Sequence, residues 1–544
     1  MSNGANIRDL LLSKGFFPEV LPPCFDSSRL SRSFSGMIRD IENKKFHSRV
    51  SAYIRYSGTK HDGNRRFYGS VNPIPYFLVC QFIGKHWKKF ESQFNNSDFG
   101  VSNLSLGSDG DDRALLVPAL SEISPKLSLK IKYAPHVIKT DIAQFFPSIY
   151  THSLVWVAHG QSQAKKDTNR NSIVNYFNAL DWHTQQCQLG QTRGIIVGPD
   201  AFRVIAEFIA CEIDSQLKQR AGNTIVGGIR HVDDFYIGIK TEIDSSIVLS
   251  HLRDSLQNFE LQINDNKTKL LSGLQPIDDI WAQELRKLSL SSYYFNSDDH
   301  NFLLDKAYDT SQNIGSQSPM KLALRRLDRA KCYKNQGWVE LEPRLQRILY
   351  HFPHCLDYVC LLLAKRFAIK KQIDLESWRS ILQLIIERSL SSNHHHELVW
   401  LIWVSFVCNI ELEPALIVKL AKVENGHIKS ILVAGYKLGY CKTNPSIKLG
   451  SNLSTDDENW LHNLVARSCG YTGAKFSGPF AQEFTKLVSN KIKLIDFDKH
   501  MREVSKSEKE AISKTRYGYD ADSDDDEDNG FDIDFDYDDS DSPF

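Results

Sequence analysis

The chain lacks the features that mark secreted, disulfide-bonded and membrane-spanning proteins. Its ten cysteines are scattered from Cys24 to Cys469 without a Cys-x-x-Cys pair, which argues against a disulfide framework and against a zinc site. No stretch approaches the ~18 consecutive apolar residues that cross a bilayer, and the first residues lack the apolar core of a signal peptide. We therefore expect a cytoplasmic protein with no membrane partner.

Basic residues are absent from residues 520–544, which contain 13 acidic side chains. The whole chain has 66 residues of each charge, so residues 1–519 carry 66 basic against 53 acidic side chains, a net charge of +13. A basic body favours phosphate binding, because neutralised phosphates release counterions. A chance excess of surface lysines is the alternative. Self-repulsion predicts a disordered acidic tail over 506–544, and docking of this tail on the basic body is the other hypothesis.

The stretch 227–238 places two adjacent acids, Asp233 and Asp234, between two β-branched and aromatic runs. Such runs are typical of strands, so the acids fall where a tight hairpin reverses direction. Two adjacent carboxylates repel each other, and a site that keeps both ionised usually needs a divalent cation. A solvated, aspartate-rich turn is the alternative.

A third acid, Asp141, ends an apolar run upstream and is followed by Phe145 and Phe146. A strand that brings Asp141 beside the hairpin would complete a group of three carboxylates. Between these acids lies a glycine-rich turn, 190–200, in which Pro199 opens a helix pattern. After the hairpin, the sequence predicts a helix and then the block 261–270.

These blocks, in this order, resemble motifs A, B, C and D of the reverse-transcriptase palm. The segments 14–23, 65–76 and 150–160 further resemble the bacterial antiviral reverse transcriptases of abortive-infection and defence-associated systems. The resemblance implies an α+β fold with right-hand polymerase fingers and palm, followed by an all-α helical-repeat domain and the acidic tail. The expected domains are an extended N-terminal segment that straps the palm (1–60), fingers and palm (61–300), helical repeats (318–505) and the tail (506–544).

The resemblance also implies which residues form the site. It assigns catalysis to Asp141, Asp233, Asp234 and Lys267. It assigns the metal site, for two Mg²⁺ ions with Mn²⁺ as an alternative, to Asp141, Ile142, Asp233 and Asp234. It assigns nucleotide binding to Phe146, Gln191, Gly194, Arg65, Arg66 and Arg113.

Several of these residues have simpler interpretations. Phe146 follows Asp141 by five residues, the position whose ring excludes a 2′-hydroxyl in this class, but a lone phenylalanine is also an ordinary core residue. The arginines are alternatively surface residues of a loop, and Lys267 is alternatively part of a lysine-rich palm edge. His231 stands where an aromatic residue usually precedes the acids, and a pKa raised by the neighbouring carboxylates is one expectation for it.

From about residue 318 onward, the sequence repeats apolar residues at helical spacing and has few strand-like runs, as expected for stacked helices without an exact period. Residues 394–396 are three consecutive histidines. Adjacent helical positions diverge by about 100° and chelate one ion poorly, which favours a polar turn here.

The leading hypothesis is an RNA-directed DNA polymerase that uses deoxynucleoside triphosphates, with an RNA template or noncoding RNA as partner and DNA as product. Antiviral defence is implied by the resemblance. The alternative is a non-catalytic palm-fold scaffold that binds RNA or a partner polymerase. Template, primer and a homo-oligomeric or paired assembly are left open by the sequence.

Overall fold

A computed structural model describes residues 4–38, 41, 49–100, 104–108, 111–118, 120–275, 279–288, 290 and 297–516. These residues form helices and small sheets, in agreement with the predicted α+β class. No helix in these ranges combines the length and the apolar character needed to cross a membrane. The acidic residues 520–544 lie outside the described residues.

The strands pair into one central sheet and three small two-stranded sheets. In chain order they are β1 (Ile54–Thr59), β2 (Arg65–Ser70), β3 (Ser105–Leu106), β4 (Leu115–Leu116), β5 (His136–Thr140), β6 (Ile225–His231), β7 (Asp234–Ile239), β8 (Lys269–Ser272), β9 (Asn452–Ser454) and β10 (Lys475–Ser477). The central sheet is antiparallel with strand order β6-β7-β5-β8, which puts β5 between β7 and β8.

Both faces of the central sheet are covered because alternate side chains point to opposite sides. Ile138 and Ile237 belong to the main core, whereas Val137 and Tyr236 pack into a smaller cluster with Leu127 of a neighbouring helix. Burial on both sides explains why these strands are apolar runs and holds their register firmly. The strand ends that carry the predicted acids are therefore fixed in place.

Helices surround this sheet in the first part of the chain. They are Gly4–Lys14, Leu30–Ser33, Pro73–Lys85, Trp87–Asn95, Leu120–Lys130, Phe145–Ser148, Ser153–His159, Gln161–Lys166, Phe177–Gln186, Asp200–Ala221, Glu242–Gln257, Ile280–Lys287 and Ser297–Ile314, with a 3-10 turn at Asp265–Lys267. The longest, Asp200–Ala221, begins directly after Pro199, as the sequence predicts.

Residues 318–516, which we call the helical half, are almost entirely helical. The helices are Ser318–Arg329, Trp338–His351, Leu356–Ala368, Leu375–Ser391, His395–Val407, Pro414–Leu420, Gly426–Lys437, Trp460–Ser468, Ala481–Ser489 and Asp498–Arg516, with 3-10 turns at Cys332–Lys334 and Pro353–Cys355. The predicted helices in this half are present. The short strands β9 and β10 were not predicted, and they form a parallel pair of three residues each.

The N-terminal segment differs from the extended strap that the sequence predicts. Residues Gly4–Lys14 form a helix, because Ile7, Leu11 and Leu12 lie on one side and are buried. The proline-rich part that follows is irregular, as expected. It contacts the helical half as well as the sheet region: the Asp26 amide donates to the Leu494 carbonyl at 3.0 Å.

The C-terminal end also differs from expectation. The helix Asp498–Arg516 extends about ten residues into the segment predicted to be disordered. Its first part is held by packing, since Phe497 and His500 are buried and Val504 is nearly so. One continuous hydrophobic core connects the N-terminal segment, the sheet region and the helical half.

Candidate functional site

The three predicted acids lie together at one end of the central sheet. Asp233 is the second residue of the two-residue turn between β6 and β7, and Asp234 begins β7 opposite His231. Thr140 pairs with Phe235, so the next residue, Asp141, lies at the level of Asp234 on the adjacent strand. The Ile142 amide donates to the Asp233 carbonyl at 3.3 Å, which joins the end of β5 to the turn.

The turn is held in an unusual backbone conformation. Val232, immediately before Asp233, has a φ of 56°, in the left-handed region that β-branched residues rarely occupy. Such strain persists only where the surroundings enforce it, and it concentrates at functional sites. Here the Arg230 guanidinium enforces it by donating from Nη1 to the Val232 carbonyl at 2.7 Å.

Arg230 is itself fixed by two acids of the Asp200–Ala221 helix. Its side chain is 0% exposed and donates to Asp214 at 2.9 Å and to Glu207 at 2.8 Å. Burial opposes the charge of Arg230, but Asp214 and Glu207 outweigh it and raise the pKa of the guanidinium well above its usual value. The helix that follows the glycine-rich turn therefore supports the turn that carries Asp233.

Asp233 lies in a repulsive electrostatic environment. Burial, followed by the nearby carboxylates of Asp234 and Asp141, raises its pKa well above the usual range. The positive charge of Arg66 opposes this rise without cancelling it. The Oδ1 atom of Asp233 is buried and has no hydrogen-bond partner among the described residues. A cation beside Asp233 would relieve both conditions.

Lys267 supplies a positive charge to this group. Its Nζ lies 3.1 Å from Oδ2 of Asp141, and both side chains are largely buried. The 3-10 turn Asp265–Lys267 brings the lysine there, because the Asn264 amide donates to the Asp141 carbonyl at 3.0 Å. The predicted lysine is thus in contact with Asp141, one of the three predicted acids.

The fit of a divalent cation rests on these carboxylates rather than on a complete set of ligands. Within the described residues, no three His, Cys, Asp or Glu side chains are arranged as a preformed metal site. Mg²⁺ does not require one, since it is commonly held by one or two carboxylates, water and substrate phosphates. Hard carboxylate oxygens and the unsatisfied Oδ1 of Asp233 suit such an ion.

A cavity of about 100 Å³ lies between the sheet region and the helical half. Phe146 lines it, with its ring nearly buried, together with Arg66 and Tyr68 of β2 and Val197 of the glycine-rich turn. The opposite wall comes from the helical half. The residues of that wall are Lys321, His354, Asp357, Tyr358, Leu361, His396 and Trp400.

The predicted arginines have different surroundings. Arg66 lines the cavity, as a nucleotide ligand should. Arg65 instead forms a bidentate ion pair with Glu397, at 2.6 and 3.1 Å. Arg113 donates to the Phe17 carbonyl at 2.9 Å and pairs with Asp200. Nucleotide binding by Arg65 or Arg113 stays a prediction, and it would require these bonds to break.

The glycine-rich turn packs against the segment that carries Phe146. The Ile195 amide donates to the Phe146 carbonyl at 2.9 Å. Gly194 has a φ of +82°, and a Cβ there would lie 3.1 Å from the Pro147 carbonyl oxygen, so this position requires glycine. The Gln191 side chain is exposed, and its predicted nucleotide contact stays a prediction.

The expectation of a raised pKa for His231 is wrong. Burial lowers the pKa of this histidine, and its Nε2 faces the Pro118 carbonyl at 3.2 Å rather than the carboxylates. Burial outweighs the Pro118 carbonyl and the Glu207 charge, both of which would raise the pKa. His231 is therefore a packed neutral side chain.

The three histidines 394–396 begin a helix instead of forming a polar turn. His394 precedes the first helical residue, His395, and His396 is buried with Nδ1 2.9 Å from the Tyr56 hydroxyl. This contact and the Arg65–Glu397 pair connect the helical half to the β1–β2 hairpin. Neither was foreseen, because the partners are more than 300 residues apart.

Sequence reasoning also missed the Arg230 network and the helical wall of the cavity. Arg230 lies two residues before the turn, and only its strand position, which turns it inward, hinted at burial beside acids.

Comparison with known proteins gives no further identification: no protein-family model matches the chain, and no curated protein matches it significantly.

Proposed function

We propose that this protein is a nucleotidyltransferase that extends DNA from deoxynucleoside triphosphates, with a reverse-transcriptase-like palm formed by the central sheet. The observation that carries the proposal is the convergence of Asp141, Asp233 and Asp234 on adjacent strands, with repulsion that raises the pKa of Asp233. A site that concentrates negative charge in this way suits chemistry on a cation-bound phosphate.

In the proposed reaction, each residue has a limited task. Asp141 and Asp233 would hold Mg²⁺, with Asp234 assisting, and the bound ions would supply charge neutralisation for in-line transfer of a nucleotidyl group. Lys267, next to Asp141, would stabilise or protonate the departing pyrophosphate. Phe146 and Arg66, on the cavity wall, would contact the sugar and the triphosphate.

The domain assignment and the biological role belong to the same proposal. The β1–β2 hairpin would be part of the fingers, and the helical half would be the repeat domain found in several abortive-infection reverse transcriptases. The motif order resembles that family, so we propose antiviral defence as the context. A noncoding RNA or RNA template is the expected partner, and atypical priming or template use belongs to the same proposal.

A second candidate is a non-catalytic scaffold that uses the palm to bind RNA or a partner polymerase. It is favoured by one observation, the lack of a preformed three-ligand metal site among the described residues. It predicts nucleic-acid binding without incorporation of nucleotides. The group Asp141, Asp233 and Asp234 argues against it, because a scaffold gains nothing from buried repulsion.

Incorporation of labelled deoxynucleotides by the purified full-length chain with Mg²⁺ tests the proposal. Replacing the turn acids (Asp233→Ala with Asp234→Ala) should reduce the rate by at least about a hundredfold, as expected when transition-state charge loses its support. The matched control is another adjacent acidic pair, Asp111→Ala with Asp112→Ala, which lies outside the central sheet.

This control should keep the wild-type rate. Incorporation that persists in the Asp233 and Asp234 variant would overturn the assignment of the site. A wild-type chain that binds nucleic acid but incorporates no nucleotide under any metal condition would favour the scaffold.

A further inference from the structure

The cavity lined by Phe146 has two walls of different origin. Phe146 and Arg66 come from the region that carries the proposed catalytic site, whereas Lys321, Asp357 and Tyr358 come from two helices of the helical half. Arg66 also reaches the carboxylates electrostatically, since its charge opposes the rise in the pKa of Asp233. The cavity therefore shares Phe146 and Arg66 with the proposed nucleotide site.

The composition of this cavity suits a planar, polar ring. Tyr68, Phe146, Tyr358 and Trp400 contribute aromatic rings to its walls. Aromatic side chains stack on nucleobases whatever the base, and each such contact stabilises binding. The volume of about 100 Å³ leaves room for a ring system. We would expect the triphosphate to lie outside it, toward the carboxylates.

On the helical wall, a hydrogen-bond donor, Lys321, lies beside an acceptor, Asp357. Lys321 Nζ lies 3.2 Å from Oδ2 of Asp357, and both residues line the cavity. Burial alone would raise the pKa of Asp357, but Lys321, followed by His396 and His354, lowers it, so the carboxylate is ionised. An ionised carboxylate accepts two parallel N–H bonds, and a lysine donates to a carbonyl.

A separate observation also points to a missing hydrogen-bond partner. His354 lines the same cavity, and its Nδ1 lies 3.0 Å from the Thr59 carbonyl, which makes Nδ1 the donor and Nε2 an acceptor. The buried Nε2 has no hydrogen-bond partner among the described residues. Buried polar atoms are nearly always satisfied, so an N–H from a bound ligand is a natural partner.

From these observations we propose that the helical half forms the base-recognition wall of the nucleotide pocket, with Lys321 and Asp357 recognising the edge of the incoming base. Guanine is the base that fits, because its N1–H and N2–H donors lie side by side for a carboxylate and its O6 accepts from a lysine. Adenine, cytosine and thymine lack two adjacent ring-edge donors. These guanine groups are the ones that pair with cytosine, so a guanine bound in this way is selected by the protein in place of a template.

This inference rests on the proposed function for the identity of the ligand, and a binding measurement separates the two. The probes are the four 2′-deoxynucleoside α,β-imido triphosphates with Mg²⁺, which cannot be incorporated, titrated calorimetrically into the full-length protein. The guanine analogue should bind at least about tenfold more tightly than the others, the discrimination expected of one good bidentate contact. Asp357→Asn should remove this preference, and Lys321→Met should weaken it.

The matched control is an ion pair on the same two helices that does not line the cavity. Lys365 Nζ lies 2.6 Å from Oδ2 of Asp328, so Asp328→Asn removes an equivalent pair elsewhere. This control should leave the base preference of the wild type unchanged. It also reveals any general effect of losing a salt bridge between these helices. If Asp357→Asn does not fold, Lys321→Met still tests the inference.

The outcomes are distinct. Equal affinity for the four analogues, or a preference that survives in both Asp357→Asn and Lys321→Met, overturns the inference even if the enzyme incorporates nucleotides. Base-selective binding that depends on Asp357, without incorporation by the wild type, overturns the proposed function and supports the pocket. A wild type that binds none of the analogues overturns both.

Discussion

Asp233 and Glu397 are both buried acids, but the charges around them are opposite. Glu397 accepts hydrogen bonds from Arg65 and Thr59, and although burial alone would raise its pKa, Arg65 and its other partners lower it. Asp233 lies between the carboxylates of Asp141 and Asp234, and burial together with these charges raises its pKa. Glu397 is compensated by Arg65, whereas the nearest charges around Asp233 are mainly of its own sign.

The contrast distinguishes a structural acid from a functional one. A buried charge is costly unless it is paired, so an acid that serves only the fold acquires a partner, as Glu397 does. The central sheet instead holds Val232 in a strained conformation and keeps acids together. Proteins accept such a loss of stability mainly where function requires it.

Arg230 extends the comparison to two acids near the turn that do have a partner. Its substitution should produce the largest change in the free energy of unfolding. Arg230→Met leaves Glu207 and Asp214 buried without their shared cation, so the free energy of unfolding should fall by about 3–5 kcal/mol. Urea unfolding measures this change. Adding Glu207→Gln and Asp214→Asn should recover much of the loss; a triple variant no more stable than Arg230→Met would contradict the electrostatic explanation.

Glu397→Gln should produce the next largest loss. Arg65 would keep its charge at the interface but lose its bidentate partner, at a cost of about 2–3 kcal/mol, because its side chain is partly exposed and screened. The control is Glu387→Gln, whose pair with Lys419 is exposed and should contribute less than about 1 kcal/mol. Equal losses from the two substitutions would show that Glu397 is an ordinary surface acid.

The helical half should be sensitive to acid because it buries neutral histidines. Burial lowers the pKa of His427 to about 3, below its usual value of 6.5, so the unfolded chain binds a proton that the folded chain excludes. Stability is therefore unaffected above the usual pKa and falls as pH drops from there toward the folded pKa. At pH 5 the loss for His427 should be about 2 kcal/mol relative to pH 7.

Unfolding midpoints of the wild type and His427→Gln at these two pH values measure this contribution. The variant should show the smaller dependence on pH. Parallel pH profiles for the two proteins would mean that His427 is protonated at no cost in the folded state.

Phe146 lies between the two regions, on the cavity wall, and its substitution has the smallest expected effect. If its ring excludes a 2′-hydroxyl, Phe146→Val should raise the use of ribonucleotides relative to deoxyribonucleotides by about tenfold. Competition between labelled nucleotides measures the ratio. The control is Phe145→Val, which removes the neighbouring buried ring. If both substitutions leave sugar discrimination unchanged, Phe146 is a core residue.

The sequence predicted what is determined locally. The acids at Asp233 and Asp234 lie in a hairpin because strand-forming runs flank them, and helices such as Leu356–Ala368 follow from apolar spacing that packing preserves. The position of Asp141 beside the hairpin followed from the order of motifs. These features need no knowledge of distant partners.

The features that were missed or misjudged depend on contacts and burial that local pattern does not show. The pairing of Arg65 with Glu397 was not foreseen because these residues are more than 300 positions apart, and nucleotide binding by Arg65 stays a prediction. The pKa of His231 was misjudged because burial, which charge counting along the sequence does not reveal, outweighs the effect of nearby charges. The wall formed by Lys321 and Asp357 has no sequence motif, since it exists only where two helices meet the sheet region.

The most direct test of the central claim is thermal unfolding of the wild type and Asp233→Asn over a range of Mg²⁺ concentrations. Without Mg²⁺, the variant should be the more stable protein, because the substitution removes one of the repelling charges. Mg²⁺ should raise the unfolding temperature of the wild type in a concentration-dependent way, since it binds the folded state, and should leave the variant almost unchanged. An equal response of the two proteins to Mg²⁺, with no gain in stability for the variant, would contradict the claim that Asp233 awaits a cation.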